Sequence, residues 1–272
     1  MSIEAVVTCV GFDDFLAETL PLNKHQFRRM VVVTSPEDER TQRVCEYHHV
    51  QCEVTDAFGS HWGEFNKGAG VNVGLAALDL DGWVCHLDAD IALPPQFAGL
   101  LECADLDPSM IYGVDRHMIA DAQAWAAHRQ APRLQQENDV YVHVDAYPLG
   151  TRIAQTGCGG WIPIGFCQIW NPLGSGQRFY PADDTMADHS DMAFAKRWPR
   201  AKRSLLGEIV AYHLQSEPQV QGANWGGRTT ARFGASADPP AANAMPGQRR
   251  HRRHRHHHPH PGPYGNGGEV AS

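Results

Sequence analysis

Residues 83–94 read Trp83-Val-Cys-His-Leu-Asp88-Ala-Asp90-Ile-Ala-Leu-Pro94. The short, mostly apolar run Trp83–Leu87 predicts a buried strand, and it ends in two aspartates. Residues two apart on a strand face the same way, so both carboxylates point to one side. Such a pair suits a hard divalent ion, which takes oxygen ligands and leaves positions open for phosphate oxygens. The spacing occurs twice more, at Asp79-Leu80-Asp81 and Asp105-Leu106-Asp107. These serve as internal controls. The first sits at an expected helix end beside Gly82, the second in a loop before Pro108. Asp88 and Asp90 follow a buried strand, which places them where parallel sheets bind ligands. The alternative is a strand-end turn whose acids cap the next segment.

Working outward, Ile3–Val10 is a β-branched run closed by Gly11 and predicts another strand. Phe12, Phe15, Leu16 and Leu20 carry helical spacing up to Pro21. Met30–Thr34 predicts a second strand. Ser35-Pro36-Glu37-Asp38 then offers a cap, a first-turn proline and acids for the positive end of a helix running through Thr41–Tyr47. Val50–Val54 predicts a third strand, and Asn72–Leu80 a helix stopped by Gly82. This alternation predicts the α/β class, with a mostly parallel central sheet flanked by helices. Further on, the expected elements are a helix at Ala120–Arg129, a strand at Val140–Val144, a glycine-rich loop at Thr156–Pro163, a strand at Gly165–Trp170, a helix at Met192–Trp198 and a last strand at Glu208–Leu214. From Ala235 onward Pro, Gly, Ala, His and Arg dominate, the composition of a disordered tail. The expectation is one domain over 1–234 and a tail over 235–272.

The chain has 272 residues, with 42% hydrophobic and 20% charged residues, an ordinary globular balance. Its net charge of −8, from 23 Lys+Arg and 31 Asp+Glu, conceals a division. The last 32 residues hold five Arg, six of the 16 His and a single acid, Glu269. Residues 1–240 therefore carry 18 basic and 30 acidic groups, a net of −12. An acidic body excludes a broad, sequence-independent DNA-binding face. Handling phosphates with it requires a metal or a few placed cations. No apolar run approaches the roughly 18 residues of a membrane span. The start shows no signal-peptide pattern. The seven Cys are scattered and form no CxxC pair, which favours reduced thiols and a cytoplasmic location.

The strand with its Asp88-Ala89-Asp90 and Ile91-Ala-Leu-Pro-Pro resembles the metal-binding core of GT-A nucleotide-sugar glycosyltransferases, broadly those of family 2. Three other stretches resemble the same family in the same order. Val31-Val-Val-Thr-Ser-Pro-Glu-Asp-Glu-Arg-Thr is similar to its second strand and donor-binding turn. Phe65-Asn-Lys-Gly-Ala-Gly-Val-Asn-Val-Gly-Leu is similar to the segment before the metal-binding strand, and Ser190-Asp-Met-Ala-Phe-Ala-Lys-Arg-Trp to the acidic motif opening a helix near the acceptor. The resemblance covers about residues 3–214. It implies a GT-A (Rossmann-like) fold and sugar transfer from a nucleoside-diphosphate sugar. Thr34 and Ser35 stand where many relatives carry a base-contacting aspartate, so a UDP- or a GDP-sugar stays open. Phe194 precedes Arg197-Trp198 where processive relatives have Gln, which argues against a polysaccharide synthase.

The resemblance implies a site. Asp88 and Asp90 hold Mn²⁺ or Mg²⁺, the ions that oxygen ligands favour, and His213 resembles a further metal ligand. A lone His on an apolar strand is otherwise a satisfied core residue. Asp191 matches the acidic motif and suits a general base, with Asp188 as its substitute; the alternative is a helix cap. Asn66 and Lys67 lie in the donor segment, beside Gly68 and Gly70, whose lack of side chain lets backbone approach a ligand. The nucleoside end falls to Val10, Asp13 and Thr34. Arg228, in Asn224-Trp-Gly-Gly-Arg228, is expected in a loop closing over the diphosphate. Gly157–Trp161 and Gly165–Gln168 are expected on the acceptor side.

The leading expectation is a metal-dependent glycosyltransferase of the hexosyltransferase type, acting on an acceptor hydroxyl. The acceptor stays open between a glycan, a small molecule and modified nucleic acid, the last reached through the basic tail. A sugar nucleotidyltransferase ranks lower, because Val10-Gly-Phe-Asp-Asp lacks a Gly- and Arg-rich phosphate loop. A non-catalytic nucleotide-sugar-binding module would bind donor without releasing nucleotide.

Overall fold

Short β-branched and small apolar runs form the first strands, and amphipathic segments between them form the first helices. In chain order these are β1 (Ile3–Thr8), α1 (Asp13–Asn23), β2 (Arg29–Thr34), α2 (Glu39–His48), β3 (Gln51–Val54), α3 (Lys67–Ala76) and β4 (Trp83–Asp88). There follow β5 (Ile91–Ala92), α4 (Phe97–Cys103), β6 (Ile111–Ile119), α5 (Ala122–Gln130), β7 (Cys167–Trp170), α6 (Pro172–Ser175), α7 (Ala187–Ala195) and β8 (Arg203–Leu214). The structure, a computed structural model, describes residues 1–59, 65–130, 162–182, 187–216 and 228–234, with backbone alone at 187–189. They lie in one compact unit, Met1–Ala235. The strand expected at 140–144, most of the glycine-rich loop, Trp161 and the tail from 235 lie outside the described residues.

The strands read as continuous apolar runs because helices bury both faces of the sheet. Ala5, Val7, Val32, Cys85 and Leu87 point to a core completed by Leu16, Leu20, Cys45, Phe97 and Leu101. Val6, Val31, Val33 and Val84 point to the opposite core, with Val71 and Leu75 from α3 and Phe194 from α7.

The eight strands run in the order β3-β2-β1-β4-β7-β6-β8-β5. β1, β2, β3 and β4 are mutually parallel where they pair. β7 is antiparallel to both β4 and β6, while β6 and β8 are parallel and β5 is antiparallel to β8. Parallel pairing thus predominates, four pairings of seven, and the antiparallel pairings are confined to β7 and β5. β6 does not join β4 directly. β7 fills the gap between them, and an antiparallel insertion needs no crossover helix. β5 follows β4 after only Ala89 and Asp90, yet it pairs with the far edge strand, Ile91 opposite His213. The open sheet therefore curls until β8 reaches the carboxyl end of β4. Leu214 N donates to Asp90 O at 2.9 Å, completing that closure. From beneath, Thr19 Oγ1 donates to Ala89 O and Asn23 Nδ2 to Ile91 O, both at 2.7 Å.

Several helix boundaries differ from the sequence reading. α1 does not stop at Pro21 but carries it inside the helix and runs to Asn23. α2 begins at Glu39 with Asp38, not Ser35, as its cap, accepting from Thr41 N. α3 begins at Lys67 rather than Asn72, because its glycines are packing residues. A Cβ on Gly74 would stand 2.3 Å from Val6 Cγ2, one on Gly70 2.1 Å from the Phe58 ring, and one on Gly68 2.3 Å from Pro181 O. Their small size lets α3 press against the sheet and its neighbours, so the close approach expected for a ligand is made by protein. α7 begins at Ala187, which puts Asp191 in the second turn and not at the helix start.

Candidate functional site

Asp88, at the carboxyl end of β4, pairs in register with Thr8 at the end of β1, and Asp90 lies against His213 of β8. The control pairs behave differently. Asp79 and Asp81 face outward and bind Arg28, and Asp107 accepts from Ser109 and Lys202.

Lys67 is the first residue of α3, and Asn66 before it caps the helix by accepting from Ala69 N. Asn66 also donates Nδ2 to Ala182 O at 2.9 Å, so its polar groups are engaged by protein. The Lys67 side chain is buried and bridges two carboxylates, Asp88 Oδ1 at 2.7 Å and Asp191 Oδ2 at 3.0 Å. Burial opposes its charge, but Asp191 and Asp88 outweigh that and hold its ammonium above the ordinary lysine range. Burial raises the Asp88 carboxyl above the usual range, opposed by Lys67 and reinforced by neighbouring Asp90. Gly165 fits against Asp191: a Cβ there would lie 1.7 Å from Asp191 Oδ2.

Beneath this bridge lies a second polar layer. Gln168 donates Nε2 to Pro163 O and Asp191 O, which turns its Oε1 toward Tyr180. The Tyr180 hydroxyl donates to that oxygen and sits 3.0 Å from His86 Nδ1. His86 is fully buried, and its Nε2, with no hydrogen-bond partner among the described residues, lies 4.0 Å from Asp88 Oδ1. Burial, with Lys67 nearby, holds the imidazole well below its ordinary pKa, hence neutral.

Asp90 sits on the other side of the turn. Its Oδ2 is 3.2 Å from His213 Nε2, and its Oδ1 is buried without a hydrogen-bond partner among the described residues. Burial raises the Asp90 carboxyl, but His213 beside it and a backbone N–H outweigh that, leaving it below the usual range. His213 Nδ1 is 2.9 Å from Nη1 of Arg116, a buried β6 cation lying 4.6 Å over the Phe166 ring. Among the described residues no three His, Cys, Asp or Glu are gathered closely enough to hold a metal. A two-carboxylate site still suits a hard ion that takes its remaining ligands from phosphates and water. The orphaned Oδ1 of Asp90 and the mutual repulsion of the two carboxylates both fit that use.

The nucleoside end expected at Val10, Asp13 and Thr34 is braced by Asp38. Gly11, at φ 76°, turns the chain after β1 and donates its N–H to Asp38 Oδ2 at 2.7 Å. Thr34 is fully buried and donates Oγ1 to the same oxygen at 3.3 Å, so it acts through Asp38. Val10 is half-buried at this turn. Asp13 is paired with Arg232 and Asp14 with Arg228 through two contacts each. Arg228 also donates to Gly11 O at 3.0 Å and lies 5.1 Å from the Phe12 ring centroid. The structure thus places Asp13 and Arg228 in a clasp tying residues 228–234 to the start of α1. The side chain of Asp188, on α7, lies outside the described residues.

Sequence reasoning missed Asp38, His86, Tyr180 and Arg116 as site neighbours. Two had a signal: His86 is two residues before Asp88 on the same strand face, and Arg116 interrupts an apolar strand run. Asp38 was visible only as a helix acid, and Tyr180 carried no local signal.

No protein-family model and no curated protein matches this chain. Among solved structures it is similar to glucosyl-3-phosphoglycerate synthase from Mycobacterium tuberculosis in complex with Mn²⁺, UDP and phosphoglyceric acid, at 13% identity and TM-score 0.46, covering 80% of this chain and 72% of that one. It is also similar to mannosyl-3-phosphoglycerate synthase from Rubrobacter xylanophilus, at 20% identity and TM-score 0.34. That match covers 45% of this chain and 42% of the Rubrobacter protein, less than half its length. A third match is a mycobacterial protein, at 16% identity and TM-score 0.44, covering 80% of this chain and 68% of that one. Likenesses at this level assign neither residue roles nor activity. No helix among the described residues is long and apolar enough to cross a membrane.

Proposed function

We propose that this protein is a divalent-cation-dependent glycosyltransferase moving a sugar from a nucleoside-diphosphate sugar, UDP- or GDP-linked, to an acceptor hydroxyl. The reaction class comes from the sequence resemblance. The observation that carries the reading is the Asp88–Asp90 turn, set where the curled sheet closes, with one buried carboxylate oxygen that has no hydrogen-bond partner among the described residues. Asp88 and Asp90 are the residues proposed to hold Mn²⁺ or Mg²⁺. When bound, the ion supplies positive charge for the diphosphate as it leaves.

The chain's own residues divide the remaining work. Lys67 holds Asp88 in place and favours its ionised form against the effect of burial, a role nearer the carboxylates than the donor contact expected from sequence. Asp38 fixes the Val10–Gly11 turn that would face the nucleoside. The Arg228 and Arg232 clasp neutralises Asp13 and Asp14, which would otherwise repel a diphosphate at the start of α1. For removal of the acceptor proton the proposal stays with α7, at Asp191 or Asp188. Asp191 is bonded to Lys67, so the two variants Asp191→Asn and Asp188→Asn separate a base from a brace. A cytoplasmic location and the 235–272 tail as a separate, disordered segment belong to the same proposal.

A thermal-shift screen of nucleoside diphosphates and their sugars, with and without Mn²⁺, tests the reading. The expected result is a donor that stabilises only with metal and is turned over to free nucleotide. Turnover that survives EDTA refutes the cation role. Donor binding without nucleotide release favours a non-catalytic binding module.

A further inference from the structure

The ring of His213 is held from both sides, and the chemistry of its two neighbours fixes which nitrogen carries the proton. Arg116 Nη1, 2.9 Å from Nδ1, has hydrogens and no lone pair, so it can only donate. Nδ1 must therefore be the acceptor. On the other side Asp90 Oδ2, 3.2 Å from Nε2, belongs to an ionised carboxylate and can only accept. Nε2 must therefore carry the hydrogen. A proton moved to Nδ1 would face the Arg116 N–H groups and leave Nε2 with its lone pair against the carboxylate. The partners are not mobile surface groups. Arg116 is 7% exposed and stacked over Phe166, on β6, which pairs with β8 through Met118 and His213.

We infer that Arg116 is a positioning residue that locks His213 as the Nε2–H tautomer, making it a hydrogen-bond donor to Asp90 rather than a metal ligand. The lone pair that a metal would need on Nε2 is absent in this tautomer. His213 instead clamps Asp90 Oδ2, and the rotation of the carboxylate so fixed leaves Oδ1 as the oxygen for a cation. The inference revises the role expected for His213 from sequence. It rests on the cation reading above for its consequence, while the tautomer itself rests only on Arg116 and Asp90.

Two measurements on the full chain test it, and they fail separately. In the metal-free protein, two-bond ¹H–¹⁵N correlation spectra of the imidazoles, with His213 assigned by its loss in His213→Gln, should show Nε2 protonated and Nδ1 bare. Arg116→Met should abolish this fixed pattern, and Arg116→Lys, which still donates, should restore it. A His213 protonated at Nδ1 in the wild-type protein overturns the inference without any variant having to fold. With Mn²⁺ added, pulsed electron paramagnetic resonance should show no directly coordinated nitrogen. A coordinated nitrogen lost in His213→Gln overturns the inference, even if transfer activity is intact. Failure of Mn²⁺ to bind at all overturns the cation role, and with it the claim that His213 serves a metal site, while the spectra of the metal-free protein still decide the tautomer.

Discussion

Replacing Lys67 by Met removes one cation from between two carboxylates while keeping most of the side-chain volume. Lys67 and Asp191 side chains are each 9% exposed and Asp88 is 30% exposed, so little water is available to take over. Breaking a buried ion pair costs about 3–5 kcal/mol, because the remaining charge is left uncompensated. The partial exposure of Asp88, and its ability to take up a proton, place the expectation near about 3 kcal/mol. At about 2–4 °C per kcal/mol for a domain of this size, the melting temperature should fall by roughly 10 °C. The cost belongs to the bridge, not to the methylenes, so Lys67→Met combined with Asp191→Asn should lose less than the sum of the two. The shortfall should be about 1 kcal/mol or more. Calorimetry or denaturant titration of the four proteins at neutral pH reads both quantities. Mn²⁺ should stabilise Lys67→Met more than wild type, since a cation at Asp88 replaces part of the missing charge. Additive losses, or a Lys67→Met protein within about 0.5 kcal/mol of wild type, the range of ordinary surface changes, would refute the bridge as a stabilising unit.

Asp90→Asn should abolish nucleotide release from the donor while shifting the melting temperature by only a few degrees, about 1 kcal/mol in stability; retained turnover contradicts its place in the site. Gly165→Ala drives a Cβ into Asp191 and should cost about 1–3 kcal/mol, with activity falling as Asp191 is displaced. An unchanged unfolding curve for that variant would mean the contact relaxes freely. Asp13 is pushed up by burial and pulled further down by Arg232, so its carboxyl lies below the usual range. A depressed carboxyl contributes stability above its unfolded pKa of about 3.9 and loses it as pH falls through the folded value. Arg232→Met should therefore be less stable than wild type at pH 6, and the gap should close in acid below about pH 4. A gap that persists unchanged in acid contradicts the pairing.

The first half of the fold was legible because its signals are local. β1, β2 and β4 are short apolar runs, and each is buried on both faces, so composition alone marks them. α3 was misplaced by five residues at its start for an equally physical reason. Gly68 and Gly70 read as a loop by intrinsic propensity, yet each is required where the helix meets Pro181 or Phe58. Tertiary contact overrode propensity there, and no local window contains that information. The same holds for the antiparallel β7 and for Asp191, whose partner Lys67 lies 124 residues away in the chain. The Asp88–Asp90 turn was found because it combines a local strand signal with an unusual ending. Arg116, which the structure sets behind His213, belongs to β6, a strand the sequence reading did not include.

The pairing of β5 with β8 has a consequence for how the protein is made. Ile91 emerges from the ribosome more than a hundred residues before its partner His213. The Asp88–Asp90 turn must therefore wait, attached to a nascent β1–β4 sheet, until the chain has been synthesised through Leu214. Domains gain order from the amino end during synthesis, and contacts of long sequence separation form last. A nascent chain is thus expected to fold its nucleoside end well before its acidic turn is braced. Chains truncated before residue 203 should retain a folded amino-terminal sheet yet lack the completed site.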